Sequence, residues 1–476
     1  MAETAAIGRG DGSVLARLGA LRLLPWQRLG TVQGAVLVML AAMVLVLDLV
    51  LIPFHAADDD DHFSAAYAAA HFHFGPVRSP DPAVSSGGYV DAALPGVIER
   101  NYHAVRLGTK PVLEPTRWQG REVFHPTPLT TYLPLVYLPQ IVAIRAGEAA
   151  GASVETTIHL ARAANGLAAL ALVGLALVLL PEGLGVLVLL LFSLPKWLQL
   201  FASNSADPID NALVAVLLGF ACAALQKGEG RAFTTRHWAL AALGLLALGG
   251  ARPPLLALAL PLVLAAWRGR SRFGIAAVVG ACVVALGWWA HAMPAMHDAR
   301  TPVTGTFGEK LSQFVFHGPQ MLVETLSARG IYYAATFVGE MGYGDGRTGH
   351  FYPLPLWVYP LALVMLVLCV AGLGAGERRL RLDPLARGAL VVAALAMVGG
   401  IFFSMALGCT NLGEMVIEGV QGRYLLAPLV LLAAVGAGAM PALPAAASRA
   451  KGLLPLFLTC NFALMAGLGI ELYWRW

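Results

Sequence analysis

Nine long apolar stretches constrain this chain more than anything else in it. The hydrocarbon core of a bilayer is crossed by about 20 consecutive apolar residues in a helix. Windows of that kind lie at 33–54, 157–180, 183–203, 208–226, 273–292, 354–374, 387–408, 422–443 and 453–472. The stretch 237–267 reads as two more short helices, broken at Arg252-Pro253-Pro254, because proline cannot continue a helical ladder. The expected fold class is an all-α integral membrane protein with about 11 transmembrane helices. Composition agrees: 13% of the residues are charged, against about 25% in a soluble domain.

One further apolar stretch, 127–147, is ambiguous, and the basic residues decide it. Short cytoplasmic loops carry an excess of lysine and arginine. The clusters are the N-terminal arginines (Arg9, Arg17, Arg22, Arg28), Lys227/Arg231/Arg236, Arg268/Arg270/Arg272, Arg378/Arg379/Arg381/Arg387 and Arg449/Lys451. With the N-terminus inside, all of them fall inside only if 127–147 does not cross. Pro128, Pro134 and Pro139 also disfavour a straight span there. The segment is therefore expected to be re-entrant or interfacial. The chain divides into a cytoplasmic N-terminus (1–32), an N-terminal transmembrane module (33–292) with a large outside loop (55–156), an outside loop (293–353) and C-terminal helices (354–476).

Several function classes drop out. The formal charge of +4 is spread over these loops and is no nucleic-acid signal. Five dispersed cysteines, with no metal-like spacing, give neither a disulfide framework nor a zinc site. The absence of GxxxxGK[ST] argues against direct ATP use. Arginines precede the first apolar run and no small-residue cleavage site follows it, so the run reads as an uncleaved anchor.

The polar chemistry sits in the outside loops. Asp58-Asp59-Asp60-Asp61-His62 follows the first span directly. Four adjacent carboxylates repel one another and favour water, a metal or a cationic partner; the plainer reading is a solvated helix cap. The residues after them suggest a short helix along the membrane plane, with His62, Ala66 and Ala69/Ala70 on one face. His71-Phe72-His73 has strand-like spacing and gives a weak metal signal. Residues 75–124 read as irregular, and His125-Pro126 stands before the dipping segment. Asp207-Pro208 reads as a helix cap followed by a first-turn proline. Asp210 and Asn211 lie in the first turn of a span, where a carboxylate is a functional candidate by default. Arg252 marks an outside turn. Arg423, in Gly419-Val420-Gln421-Gly422-Arg423-Tyr424, could grip a phosphate bidentately or snorkel to headgroups. Carboxylates that activate a hydroxyl and arginines that hold a phosphate are the parts of glycosyl transfer.

At this point the chain resembles a family of bacterial multi-pass membrane proteins known only as a domain of unknown function. That family is similar to the GT-C superfamily of polyprenyl-phosphate-sugar-dependent glycosyltransferases. The resemblance rests on Asp58 through Phe63, His125-Pro126, Ser205-Ala206-Asp207 through Asn211, Arg252-Pro253-Pro254, Phe337-Val338-Gly339 to Asp345, and Gly419 through Tyr424, the last being the most specific. It implies a GT-C-like architecture with an interfacial helix after the first loop. It implies Asp58 and Asp59 as catalytic base or metal ligand, although this sequence has Asp where the family usually has Glu in its acidic pair, and adds Asp60 and Asp61. His62, His125, Asp207, Asp210, Arg252, Asp345, Gln421, Arg423 and Tyr424 are the candidate substrate-binding residues. A divalent cation, magnesium or manganese, would fall to Asp58, Asp59 and Asp207.

The expected partners are membrane lipids, a polyprenyl-phosphate-sugar donor and a glycan, lipid or protein acceptor, at the outer face of a bacterial inner membrane. Two rivals come from other classes. A transporter or flippase would need polar residues along a path, for which Asp48 in the first span is one candidate. A non-catalytic envelope assembly protein would need no chemistry at all.

Overall fold

The computed structural model describes residues 30–56, 58–81, 83–107, 114–226, 233–299, 303–341, 352–375, 380–439 and 443–473. Among these the protein is built almost wholly of α-helix, with two small β-ladders. In chain order the helices are α1 (Thr31–Val50), α2 (Asp59–Ala70), α3 (Leu94–Leu107), α4 (Leu138–Ala149), α5 (Val154–Leu179), α6 (Glu182–Phe192), α7 (Pro195–Phe201) and α8 (Asp207–Leu225). They continue with α9 (Thr235–Ala251), α10 (Ala259–Arg268), α11 (Arg272–Ala292), α12 (Phe307–Val338), α13 (Val358–Gly372), α14 (Pro384–Gly408), α15 (Leu426–Ala437) and α16 (Pro444–Tyr473).

Six described helices are long and apolar enough to cross a membrane: α1, α5, α8, α11, α14 and α16. The window 183–203 is not one straight span. It breaks at Ser193-Leu194, and α6 and α7 meet at a bend of 77°, because Pro195 starts a new helix with its ring in the first turn. The helices around Arg252, at 358–372 and at 422–437 are apolar but shorter. The break at Arg252-Pro253-Pro254 is present, with α9 ending at Ala251 and a tight 3-10 turn running from Pro253 to Leu258. One continuous apolar core joins α1, α5 to α11 and α13 to α16.

The segment 127–147 forms two 3-10 turns (Pro128–Thr131 and Pro134–Tyr137) and then the twelve-residue α4. Each of the three prolines sits at the start of one of these elements. None of these elements is among the helices long and apolar enough to cross a membrane.

Three expectations about the loops are corrected. α2 is buried on every side and is a core helix, not an interfacial one with a wet face. Residues 75–124 are partly ordered: β1 (Gly87–Asp91) pairs antiparallel with β2 (Glu122–Pro126), and α3 lies between them. The stretch 293–353, read as a loop, holds the 32-residue α12. Its start is a capping box: Thr306 Oγ1 takes the Glu309 amide at 3.3 Å, and Glu309 Oε2 takes the Thr306 amide at 2.7 Å.

The two ends of the bundle differ. One end gathers Asp58, Asp207, Arg252 and Arg423. Elsewhere, helix ends are tied by Arg268 to Asp383 at 2.6 Å, by Lys451 to Glu182, and by the Arg381 amide to Gln226 Oε1 at 3.2 Å.

Candidate active site

The acidic run does not act as a unit, because its residues meet different partners. Asp59 is fully buried, and its oxygens accept the Phe54 amide at 3.1 Å and the Asn204 amide at 2.6 Å. It thereby ties the chain before α2 to the loop before α8. Burial pushes its carboxyl up to about 6, against the pull of Arg162. Asp60 accepts the Tyr102 hydroxyl at 2.7 Å. The Asp61 carbonyl accepts the Thr127 hydroxyl at 3.0 Å, which fastens the end of β2 to α2. Asp58 alone keeps a substantial opening, with its side chain 38% exposed. It caps α2 in the left-handed region at φ 59°, where aspartate is among the residues that tolerate the strain.

Asp58 ends a chain of alternating charges. Arg423 Nη2 donates to Asp58 Oδ2 at 3.0 Å, and Arg423 Nε lies 3.2 Å from Asp207 Oδ2. Arg252 pairs with Asp207 Oδ1 through Nη2, and its Nε lies 3.2 Å from Asp210 Oδ2. Tyr424 offers its ring to both arginines, at 5.2 Å from Arg252 and 5.4 Å from Arg423. Asp207, Asp210 and Arg423 are at most 2% exposed. The pairing is nonetheless incomplete: Arg423 Nη1 and Asp210 Oδ1 are buried without a hydrogen-bond partner. Buried donors and acceptors in native proteins are normally satisfied by protein, water or ligand, so Arg423 Nη1 has a donor available to a bound group.

The backbone explains why Arg423 sits where it does. The Gly422 amide donates to Thr336 Oγ1 of α12 at 3.0 Å. A Cβ at Gly422 would stand 2.1 Å from the Tyr333 carbonyl oxygen and 2.5 Å from the Phe337 nitrogen. Only glycine admits this approach. α8 starts at Asp207 with Pro208 next, but its cap is Ala206 with no side-chain bond. The Asp207 carboxylate serves the arginines and not the helix end, which corrects the capping expectation.

His62 faces the same cluster from α2. Its Nδ1 lies 2.8 Å from the Tyr137 hydroxyl. Burial pushes the imidazole down to about 4, against the pull of Asp207 and Asp58, so it is neutral at pH 7. Burial holds the Tyr137 hydroxyl well above the usual tyrosine range, and Tyr132 is raised by the same cause.

The other candidates are placed differently. His125 is half-buried in β2 opposite Gly88, two residues before the Thr127 tie to α2. Gln421 is half-buried at the start of the turn that carries Arg423, and its carbonyl accepts the Tyr424 amide at 3.1 Å. Asp345 lies outside the described residues. His71 and His73 do not share a ligand: they meet Glu148 and Glu122 respectively, each at 3.0 Å. Among the described residues, no three histidine, cysteine, aspartate or glutamate side chains group so that they could hold a metal ion. Asp59 is taken by backbone amides and Asp207 by arginines, so the suggested set of Asp58, Asp59 and Asp207 does not fit a divalent cation.

Three contributors were not singled out from the sequence. Tyr132 and Tyr137 are hidden in the dipping segment. Arg162 was the most findable, as an arginine within an apolar span. It is buried in α5, with Nε donating to the Ala202 carbonyl at 2.8 Å and lying 3.0 Å from Asp48 Oδ1, and Nη1 donating to the Leu51 carbonyl at 3.0 Å. His159 also meets Asp48, at 3.2 Å. Asp48 is thus part of a brace that joins the end of α1 to the loop before α8.

A family model described as "Predicted membrane protein (DUF2142)" matches residues 41–433. The match spans every element of the charge cluster, and the chain belongs to that family. No curated protein and no solved structure matches the chain.

Proposed function

We propose that this member of the DUF2142 family is a membrane glycosyltransferase. It moves a sugar from a polyprenyl-phosphate-linked donor to a hydroxyl of a glycan, lipid or protein acceptor at the outer face of a bacterial inner membrane. The observation that carries the reading is Arg423. Its guanidinium is 2% exposed, holds the one open carboxylate of the acidic run, and keeps Nη1 unpartnered. A phosphate oxygen would satisfy that nitrogen.

In this reading Asp58 is the base. The acceptor oxygen attacks the anomeric carbon of the sugar, and its proton passes to the Asp58 carboxylate. The bond from that carbon to the phosphate oxygen breaks, and polyprenyl phosphate leaves with the electron pair. Arg423, with Arg252 behind it, stabilises the charge on the leaving phosphate. Neutral His62 and protonated Tyr137 can offer hydrogen bonds without adding charge. Asp59 positions Asp58 and does not react. The bent pair of α6 and α7, with the shorter apolar helices, would complete a GT-C-like bundle of about 11 spans. The N-terminus would lie in the cytoplasm. For a transport reading Asp48 would have to serve a path, and its pairing with Arg162 and His159 favours a brace instead.

The test is Asp58→Asn in cells that otherwise lack the protein, with envelope glycans compared by mass spectrometry. One glycan species is expected to disappear at normal protein level. A full glycan profile with Asp58→Asn would remove the base from the scheme.

A further inference from the structure

A second feature lies outside the charge cluster, on the flank of α4. The end of α2, the turn Leu133–Leu135 and one face of α4 enclose a groove of about 510 Å³. That volume is in the range of small-ligand sites. Leu138, Ile141 and Arg145 line it from α4 at helical spacing, and Trp288 closes it from α11. All of its lining is apolar except Arg145 and the Trp288 indole nitrogen, and that nitrogen is spent on the Thr131 carbonyl at 2.7 Å. The ring of Trp288 is thereby fixed against the groove.

The wall opposite α4 is unusual. Phe72 is 77% exposed and Phe74 57%, and their rings meet edge-to-face at 6.3 Å. Phe72 has φ 64°, a strained conformation for a bulky residue. Exposed aromatic rings along an apolar groove offer a surface for an apolar occupant. Leu138 and Val142 add 51% and 67% exposure beside it on α4. At the other end Arg145 has, among the described residues, one acidic partner, Glu148 at 3.4 Å, and Glu148 already serves His71 with its other oxygen. Arg145 therefore has donors to spare at the mouth of an apolar slot in a membrane protein.

We infer that this groove binds an anionic glycerophospholipid, with one acyl chain along Leu138, Ile141 and Trp288 and the phosphate on Arg145. The charge favours an anionic headgroup over a zwitterionic one, because a guanidinium matches a phosphate bidentately and gains from net negative charge. The site is separate from the donor phosphate site at Arg423 and does not depend on the proposed chemistry. It adjoins the cluster through the chain itself: Tyr132 faces Arg252, while the next residue, Leu133, lines the groove. A lipid seated there would hold the dipping segment, and with it Tyr132 and Tyr137, in place.

The probe is Trp288 fluorescence in the full-length protein, reconstituted in vesicles of phosphatidylcholine with increasing phosphatidylglycerol. One or the other lipid carries brominated acyl chains. The Trp288 contribution is the difference between the parent and Trp288→Phe. Brominated phosphatidylglycerol is expected to quench it at about fivefold lower mole fraction than brominated phosphatidylcholine, the preference that one basic residue confers at a membrane surface. Arg145→Gln is expected to abolish that preference while keeping quenching by both lipids, which reports a folded protein with an open groove. Equal quenching by the two lipids in the parent, unchanged by Arg145→Gln, would mean contact with bulk lipid only and would overturn the assignment. Loss of glycan transfer in Asp58→Asn leaves this readout untouched, so the two proposals fail separately.

Discussion

Gly422→Ala puts a single methyl group where the structure has no room for one. The new carbon would stand 2.1 Å from the Tyr333 carbonyl oxygen, 2.5 Å from the Phe337 nitrogen and 2.8 Å from Thr336 Oγ1. Two of these are backbone atoms of a helix and cannot rotate away. Relief needs movement of roughly 1 Å between α12 and the turn 422–425, since core packing tolerates little overlap. The expected cost is about 3 kcal/mol, the upper part of the overpacking range, because neither side is flexible. Thr336→Val is the comparison, since it adds no bulk and removes the 3.0 Å bond from the Gly422 amide and the 3.3 Å bond to the Tyr333 carbonyl, which should cost about 1–3 kcal/mol, mostly for the unmet amide. Movement of Arg423 by that distance would separate it from Asp58, and misplacement by about 1 Å commonly costs about a hundredfold in rate. Thermal unfolding of the purified protein and the glycan profile of cells read the two effects. A Gly422→Ala protein with parental melting and parental glycans would refute the close approach of α12, and with it the account of how Arg423 is placed.

The pH dependence of stability separates His62 from Asp59. His62 has its pKa lowered to about 4 from 6.5, so its contribution is present above pH 6.5 and is lost as pH falls toward 4. The loss amounts to about 3 kcal/mol. Asp59 is raised to about 6, so its ionisation costs stability as pH rises from about 4 to 6 and partly offsets His62 in the parent. His62→Asn should therefore gain on the parent by about 3 kcal/mol between pH 7 and pH 4, and parallel stability curves would contradict this. Arg162→Met leaves Asp48 buried beside His159 alone and should cost about 3–5 kcal/mol; unchanged melting would show that the brace is idle. Thr306→Ala opens the capping box of α12 and should cost about 1 kcal/mol, checked by melting against Glu309→Gln.

The sequence made the membrane class, the break at Arg252 and the proline breaks within 127–147 legible, because long apolar runs and prolines act on local structure directly. α12 was hidden by its composition. It carries Glu309, Lys310, Glu324 and Arg329, so hydropathy reads it as loop, although the Thr306–Glu309 pair marks its start. The bend between α6 and α7 was masked by an unbroken apolar window. Within the site, the charged residues were legible as types in the right loops, and Asp58, Asp207, Asp210, Arg252 and Arg423 do meet. Their division of labour was not. Which of four adjacent aspartates stays open depends on backbone amides at Phe54 and Asn204, and no sequence pattern encodes those contacts.

The reading turns on whether a lipid-linked phosphate reaches Arg423. A structure of the protein with a polyprenyl-phosphate sugar bound measures this directly. The account predicts a phosphate oxygen about 2.7–2.9 Å from Arg423 Nη1, with the anomeric carbon on the Asp58 side. A donor bound with its phosphate away from Arg423, and Nη1 still unpartnered, would contradict it.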